Sequence, residues 1–196
     1  MAQGKFGRAV RLAVAVTAGA LAPAASWAEG EVITKQYDNG ATYEGTFVNG
    51  LQDGTGIYRM PNGFEYSGDW VAGQIMGKGR ARYPDGSVYE GQFVAGLPEG
   101  VGKIAFPDGR SYEGDWAGGK MTGKGRAVYA DGTVYVGAFL DGQHHGQGVL
   151  TDGRGYRYDG GWIAGKKEGK GKITWADGAV YEGELKADER AGQGTL

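Results

Sequence analysis

Carboxylates recur along the sequence at a fixed spacing. They stand one or three residues after a tyrosine, at Glu44, Asp69, Glu90, Glu113, Asp115, Asp159, Glu182 and Glu184. Two carboxylates that flank a glycosidic bond are the machinery of glycoside hydrolysis, with one acting as the acid. An active site, however, needs one unique constellation, whereas these residues return with every repeat. We therefore expect structural carboxylates, paired with Arg and Lys of neighbouring strands.

The two histidines, His144 and His145, are adjacent in the sequence and lie close to Asp141. Zinc sites need three or four converging ligands, and neighbouring residues point in different directions. The chain contains no Cys, which excludes disulfides, cysteine metal clusters and a thiolate nucleophile. We predict that both histidines lie in a surface loop. The sequence thus predicts no metal, no cofactor, no catalytic residue and no enzymatic activity.

Basic residues form the most interesting functional row. They are Lys78, Arg80, Arg82, Lys103, Lys124, Arg126, Lys170 and Lys172. Such a row is a candidate contact for anionic lipid headgroups, with about 1 kcal/mol from each cation near the surface. The competing prediction is that acidic residues of neighbouring strands neutralise it. The formal charge is −2, and −5 once Lys5, Arg8 and Arg11 are removed with residues 1–28. This balance favours neutralisation and argues against nucleic-acid binding.

These residues are positioned by a motif, Tyr-x-Gly-x-(Phe/Trp), which returns every 23 residues from Tyr43 to Tyr158 and once more from Tyr181, where Leu185 replaces the final ring. We call it the tyrosine motif. Period-two alternation predicts a strand with the rings on one face, the aromatic face, and polar groups on the other, the polar face. The rings are the candidate partner-binding residues: Tyr43, Phe47, Tyr66, Trp70, Tyr89, Phe93, Tyr112, Trp116, Tyr135, Phe139, Tyr158, Trp162 and Tyr181. The glycine of the motif leaves room for a ring over the backbone.

A second strand-like run follows in each repeat, as in residues 102–106. Asn-Gly and Asp-Gly pairs between repeats, such as Asn62-Gly63, predict tight primed hairpin turns. Gly-x-x-x-Gly stretches within repeats, such as residues 50–54, predict loops with variable tips. No helical pattern is visible that would supply a second layer. The prediction is an all-β fold, an elongated single-layer antiparallel meander of consecutive β-hairpins, twisted into a trough or superhelix.

The chain divides into three segments. Residues 1–28 combine a basic start, an apolar run and small residues before Ala28, which predicts a cleaved signal peptide. Residues 29–42 read as an N-terminal half repeat. Residues 43–196 form the array, with six full repeats and a truncated seventh.

The tyrosine motif, its Gly-x-x-x-Gly-x-Gly continuation and the Asp/Asn-Gly before the next tyrosine resemble the MORN repeat (membrane occupation and recognition nexus). The resemblance covers residues 43–196, nearly all of the predicted mature chain. It implies consecutive hairpins in one curved sheet, together with scaffolding, dimerisation, partner binding and, for several members, phospholipid binding. No kinase or other catalytic domain accompanies the array, so enzymatic labels of fused relatives do not carry over.

Repeat five departs from the pattern. Asp152 stands where other repeats carry Met60, Tyr83, Phe106, Tyr129 or Trp175. Arg154 replaces the Asp or Asn of the turn, and Val136 replaces the Glu that follows the tyrosine. Because the turn residues change together, we predict a kink here rather than a polar notch with a function.

The sequence therefore predicts a non-enzymatic repeat scaffold in the cell envelope, which binds a protein partner or self-associates through the aromatic face or a sheet edge. Two alternatives stay open: a peripheral module that binds anionic phospholipids through the basic row, and an envelope glycan binder that uses exposed rings. The signal-like segment predicts export, with the periplasm favoured over secretion or peripheral membrane attachment.

Overall fold

A computed structural model describes residues 30–196, so the predicted signal peptide at 1–28 lies outside the described residues. Every regular element between residues 30 and 196 is a β-strand. In that range no helix has the length and apolar character needed to cross a membrane. The described residues fall into two compact units, 30–107 and 108–196.

Each strand of the first unit pairs antiparallel with its neighbour in the sequence. The strands are β1 (Ile33–Gln36), β2 (Thr42–Val48), β3 (Leu51–Arg59), β4 (Glu65–Val71), β5 (Gln74–Arg82), β6 (Val88–Val94) and β7 (Leu97–Ala105).

The second unit follows the same rule. Its strands are β8 (Ser111–Ala117), β9 (Lys120–Val128), β10 (Val134–Leu140), β11 (Gln143–Thr151), β12 (Arg157–Ile163), β13 (Lys166–Thr174), β14 (Val180–Lys186) and β15 (Glu189–Thr195). The predicted all-β meander of consecutive hairpins is confirmed, while its trough or superhelical curvature stays a prediction.

The turns between repeats differ from the prediction of tight primed turns. The Gly63 N–H donates to the Met60 carbonyl at 3.0 Å, and Gly63 but not Asn62 has a positive φ, of 89°. This geometry is a type I turn followed by a left-handed glycine, a common three-residue hairpin loop. Pro61 presets φ at the second turn position, and the Asn62 side chain accepts from the Phe64 N–H at 3.0 Å.

The primed turns lie within the repeats instead. Asn49 and Gly50 have φ values of 50° and 79°, the conformation of a two-residue turn that matches strand twist. Because this turn is so short, β3 begins at Leu51 and the predicted loop tip is strand. The Gln52 side chain therefore points to the aromatic face and is buried. Gly54, with φ of 85°, lies at a β-bulge where the register shifts between Gly45 and Phe47.

The tyrosines of the motif form the centre of each repeat. Each donates its hydroxyl proton to the carbonyl of the third residue after it, at 2.8–3.2 Å in all seven copies. That residue stands at the bulge, where the backbone ladder is interrupted. The ring covers two glycines that are paired across strands, as Tyr43 covers Gly45 and Gly56. A Cβ on Gly56 would lie only 2.3 Å from the Tyr43 hydroxyl oxygen, so no larger residue fits.

The fourth residue after each tyrosine joins successive repeats. Trp70 packs edge-to-face against Tyr66 of its own repeat, with ring centroids 5.6 Å apart, and against Tyr43 of the preceding repeat at 5.1 Å. Its Nε1–H also donates to the Gly56 carbonyl at 3.4 Å. Edge-to-face pairs are favoured by the ring quadrupoles, so the rings hold the sheet without a second layer.

Candidate functional site

The thirteen candidate rings of the aromatic face are all buried, with at most 6% of any residue exposed. Burial raises the pKa of Tyr43 to about 12, so its phenol stays a neutral donor. The structure thus places these residues in the core of the sheet. Direct contact of a partner with these rings stays a prediction, and their burial does not favour it.

A different row of rings is half-buried and reachable from solvent. In the second unit it consists of Tyr129 and Trp175, which stand at or just beyond the ends of β9 and β13, and of Tyr156, which directly precedes β12. We call it the rim row. Phe106 has the equivalent position in the first unit. Sequence reasoning missed this row as a surface, although the recurrence of a large residue before the turn was a signal for Tyr129 and Trp175; repeat five has Asp152 at that position, and Tyr156 follows the turn.

The prediction that both histidines lie in a surface loop is wrong, because His144 and His145 belong to β11. His145 is half-buried, whereas His144 lies in the core. Only 4% of the residue is exposed, because the turn consists of Asp141 and Gly142 alone and His144 is already the second residue of β11. Its ring stacks on Tyr135 with centroids 3.6 Å apart. It also packs edge-to-face against Trp162 at 4.7 Å, within the aromatic face.

The hydrogen bonds of His144 are incomplete. Its Nε2 lies 2.6 Å from the Tyr129 hydroxyl, whereas its buried Nδ1 has no hydrogen-bond partner among residues 30–196. Desolvation lowers the pKa of His144 to about 4, so the imidazole is neutral at neutral pH. Gln52 has the equivalent position in repeat one and donates to the Tyr37 hydroxyl at 2.6 Å. Among the residues of 30–196, no group of three or more His, Asp or Glu could hold a metal ion.

At the junction of repeats five and six, the side chain of Asp152 closes the turn instead of the Asp or Asn that Arg154 replaces. The Asp152 carboxylate accepts from the backbone N–H groups of Arg154 at 2.9 Å and Tyr156 at 2.8 Å. The bond from Tyr156 is the main cause that lowers the pKa of Asp152. Gly148 pairs with Gly160 as Gly125 pairs with Gly137 one repeat earlier. The predicted kink therefore has no counterpart in the register of β11 and β12.

The register places most of the basic row beside acidic residues. Arg80 contacts Glu90 at 2.9 Å. Lys172 stands between Asp159 and Glu182, and Lys170 is paired with Glu184. The other pairings within the units are Arg82 with Glu65, Lys103 with Glu90, Arg126 with Glu113 and Lys78 with Gln92.

Repeat five interrupts this alternation of charge. On their β10 side, Lys124 and Arg126 face Ala138 and Val136.

Comparison with known families finds the MORN repeat at residues 43–64, 66–88, 89–109, 112–134, 135–155, 158–180 and 181–196. The chain is also 43% identical over 49 residues to alsin from Rattus norvegicus. This match covers 22% of the chain and 3% of alsin.

Two solved structures are similar at low sequence identity. One is the TCP domain of Drosophila melanogaster SAS-4 (dCPAP), in complex with a proline-rich motif of Ana2 (dSTIL), with a TM-score of 0.47 and 13% identity. It covers 86% of this chain and 98% of that chain. The other is the TCP10 domain of Danio rerio CPAP, with a TM-score of 0.37, 15% identity and coverage of 84% and 88%. With TM-scores this low, neither carries an inference about a partner of this chain.

Proposed function

The chain belongs to the MORN-repeat family, and from this premise we propose that it is a non-enzymatic scaffold that binds a protein partner. The observation that carries the proposal is that the recurrent polar groups serve the fold. Tyrosine hydroxyls satisfy bulge carbonyls, Asp and Asn side chains close turns, and carboxylates pair with cations. A scaffold needs only a contact surface outside these fold-stabilising groups, whereas catalysis needs a unique set of converging groups.

The rim row in the second unit is the contact surface that this proposal favours. Tyr129, Tyr156 and Trp175 are half-buried rings beside a filled core, and rings of this kind dominate the energetics of many interfaces. Lys167 adds a cation there, because its Nζ donates to the Tyr156 hydroxyl at 2.5 Å. Self-association through a sheet edge is the alternative form of the same proposal.

We further propose that the scaffold works in the cell envelope, with the periplasm favoured. This part rests on the signal-like pattern of residues 1–28 and on nothing in the described residues.

The two other functions have less support. Anionic lipid binding needs an uncompensated basic surface, but Arg80, Lys103 and Lys172 have acidic neighbours across the strands. Glycan binding needs exposed rings, but the rings of the tyrosine motif are buried and those of the rim row are only half-buried. Both nevertheless stay as alternatives that one experiment can separate from protein binding.

The test compares the chain, tagged and expressed in its source cells, with the double variant Tyr156→Ala/Trp175→Ala. Leu51→Ala, an exposed residue on the polar face, is the matched control. Chemical cross-linking is expected to give a discrete protein complex that the double variant loses by about tenfold or more and the control keeps. No cross-linked complex, or an undiminished one in the double variant, would contradict the proposal. Salt-sensitive flotation with anionic vesicles alone would favour the lipid alternative instead.

A further inference from the structure

Strand β10 is apolar on both of its faces. Its aromatic face carries Tyr135 and Phe139, two rings at positions that are aromatic in every full repeat, but its polar face carries Val134, Val136, Ala138 and Leu140. A strand with apolar residues on both sides is typical of strands that are covered on both faces. Among the described residues nothing packs over this side of β10, where 51% of Val136 and 50% of Leu140 are exposed.

The other repeats show that this composition is specific to repeat five. In each of the other five full repeats, the polar-face positions one, three, five, twelve, fourteen and sixteen after the tyrosine include charged residues. In repeat five the same positions hold none. They are Val136, Ala138, Leu140, Gln147, Val149 and Thr151, and we call them the repeat-five patch. Val136 and Val149 are direct partners across β10 and β11, so the apolar surface is continuous at its centre.

The charges beside the patch differ on its two sides. On the β9 side, Lys124 and Arg126 are exposed and face Ala138 and Val136, where repeat seven has two acids. The corresponding cations of β13, Lys170 and Lys172, face Glu184 and Glu182. On the β12 side, Arg157 and Asp159 neutralise each other through a contact of 2.8 Å. The patch therefore has an excess of exposed cations beside it on the β9 side only, and Arg126 there also has Glu113 of β8 as its partner on the side away from the patch.

The dimensions of the patch fit one helix. Strand β10 has seven residues, a length of about 24 Å, and the two strands β10 and β11 are about 10 Å wide. An α-helix of about 16 residues has the same length and a similar width. Residues 30–196 contain strands as their regular elements and no helix, so this part of a second copy of the chain does not supply such a helix.

We propose that the repeat-five patch docks an amphipathic α-helix of a protein partner, aligned along β10, with acidic residues on the side that faces Lys124 and Arg126. The apolar stripe of the helix covers Val136, Leu140 and Val149. Its acidic flank supplies the carboxylates that β10 lacks. The inference rests on the proposed scaffold function, but it uses the face opposite to the rim row.

The test places a photo-crosslinking residue, p-benzoylphenylalanine, at Leu140 of the full chain expressed in its source cells. The matched control places it at Val71, which has the same repeat position and is 55% exposed. We expect a single cross-linked protein from position 140 and none from position 71. Mass spectrometry of the joined peptide is expected to identify a segment with helical apolar spacing and Asp or Glu on one flank.

Two variants of the Leu140 probe make the test specific. Val136→Glu restores the residue that repeats three and four carry, so the fold tolerates it, and the cross-link is expected to fall by about tenfold because a charge enters an apolar contact. Arg126→Glu is expected to weaken it through repulsion of the acidic flank.

Several outcomes would overturn the inference. They are no product from position 140, a product with a second copy of this chain or with lipid, a joined peptide without acidic residues, and a product that survives Val136→Glu. If any one of these outcomes occurs while the complex that depends on Tyr156 and Trp175 still forms, only the helix-docking inference fails. If no protein cross-links to either face, the scaffold proposal fails as well.

Discussion

Repeats four and five are neighbours that share a core and differ on the surface. Tyr112 and Tyr135 are fully buried and make the same hydrogen bond to a bulge carbonyl, each at 2.9 Å. On the polar face, however, Glu113 and Asp115 of repeat four are replaced by Val136 and Ala138. The comparison indicates that the fold constrains the aromatic face of every repeat, whereas the polar face is free to carry binding specificity.

The second difference lies inside the aromatic face. The position nine residues after the tyrosine is Met121 in repeat four and His144 in repeat five, and both are buried. A thioether fills the position and needs no hydrogen-bond partner. The imidazole binds the Tyr129 hydroxyl, and its Nδ1 has no hydrogen-bond partner within the described part of the chain. Repeat five therefore combines an ordinary core geometry with a titratable group.

The largest loss of stability is expected from substitutions at positions where repeats four and five are alike. Gly148→Ala places a Cβ about 2.2 Å from the Tyr135 hydroxyl oxygen, and Gly125→Ala one about 2.4 Å from Cε2 of Tyr112. Each should lower the free energy of unfolding by about 3 kcal/mol through overpacking, as measured by urea denaturation. Gly153→Ala, which meets no atom within 4 Å, is the control with little effect. A stable Gly148→Ala variant would show that the ring can move away from the backbone.

A smaller loss of stability, which depends on pH, should distinguish repeat five from repeat four. The pKa of His144 is lowered from 6.5 to about 4 in the folded chain, so the unfolded chain takes up a proton first as the pH falls. Stability is therefore fully present above pH 6.5 and decreases between about pH 6.5 and 4, by about 2.5 kcal/mol at pH 4.5. The measurement is the urea midpoint against pH for the wild type and His144→Met, which copies repeat four. Equal slopes in both proteins between pH 6.5 and 5 would disprove the assignment.

The tyrosine hydroxyls should contribute equally in the two repeats. Tyr112→Phe and Tyr135→Phe each remove the donor to a bulge carbonyl but keep the ring over its glycines. We expect a loss of about 1 kcal/mol in each case, since one buried hydrogen bond is removed. Thermal denaturation of the two variants side by side checks this expectation. A clearly larger loss at Tyr135 would mean that the stacked His144 depends on its orientation.

The smallest stability effect is expected from making the polar face of repeat five resemble that of repeat four. Val136→Glu places a carboxylate opposite Arg126, and such a cross-strand pair changes stability by about 0.5 kcal/mol. Thermal denaturation should therefore place the variant within about 3 °C of the wild type, since about 1 kcal/mol corresponds to several degrees. A loss of several kcal/mol would mean that Val136 is part of the core rather than a surface residue.

Strand positions could be predicted from the sequence because alternation and the 23-residue period specify which residues share a face. Turn types could not, because an Asn-Gly or Asp-Gly pair fits both a two-residue primed turn and a three-residue loop. The loop length is decided by how β3 and β4 pair, where Arg59 is opposite Glu65. The position of His144 was missed for the same reason, because one residue more or less in a turn moves a side chain to the other face.

By itself, the sequence determined the repeat, the hairpins and the ring-over-glycine core, because these depend on contacts within one repeat, such as that of Tyr43 with Gly56. Only the tertiary structure decided which rings solvent can reach, which cations have acidic neighbours and that His144 lies in the core. Each of these depends on the register between strands. Register is set by the bulges and turns of the folded backbone, and it brings together residues such as Val136 and Arg126 that the linear pattern does not pair.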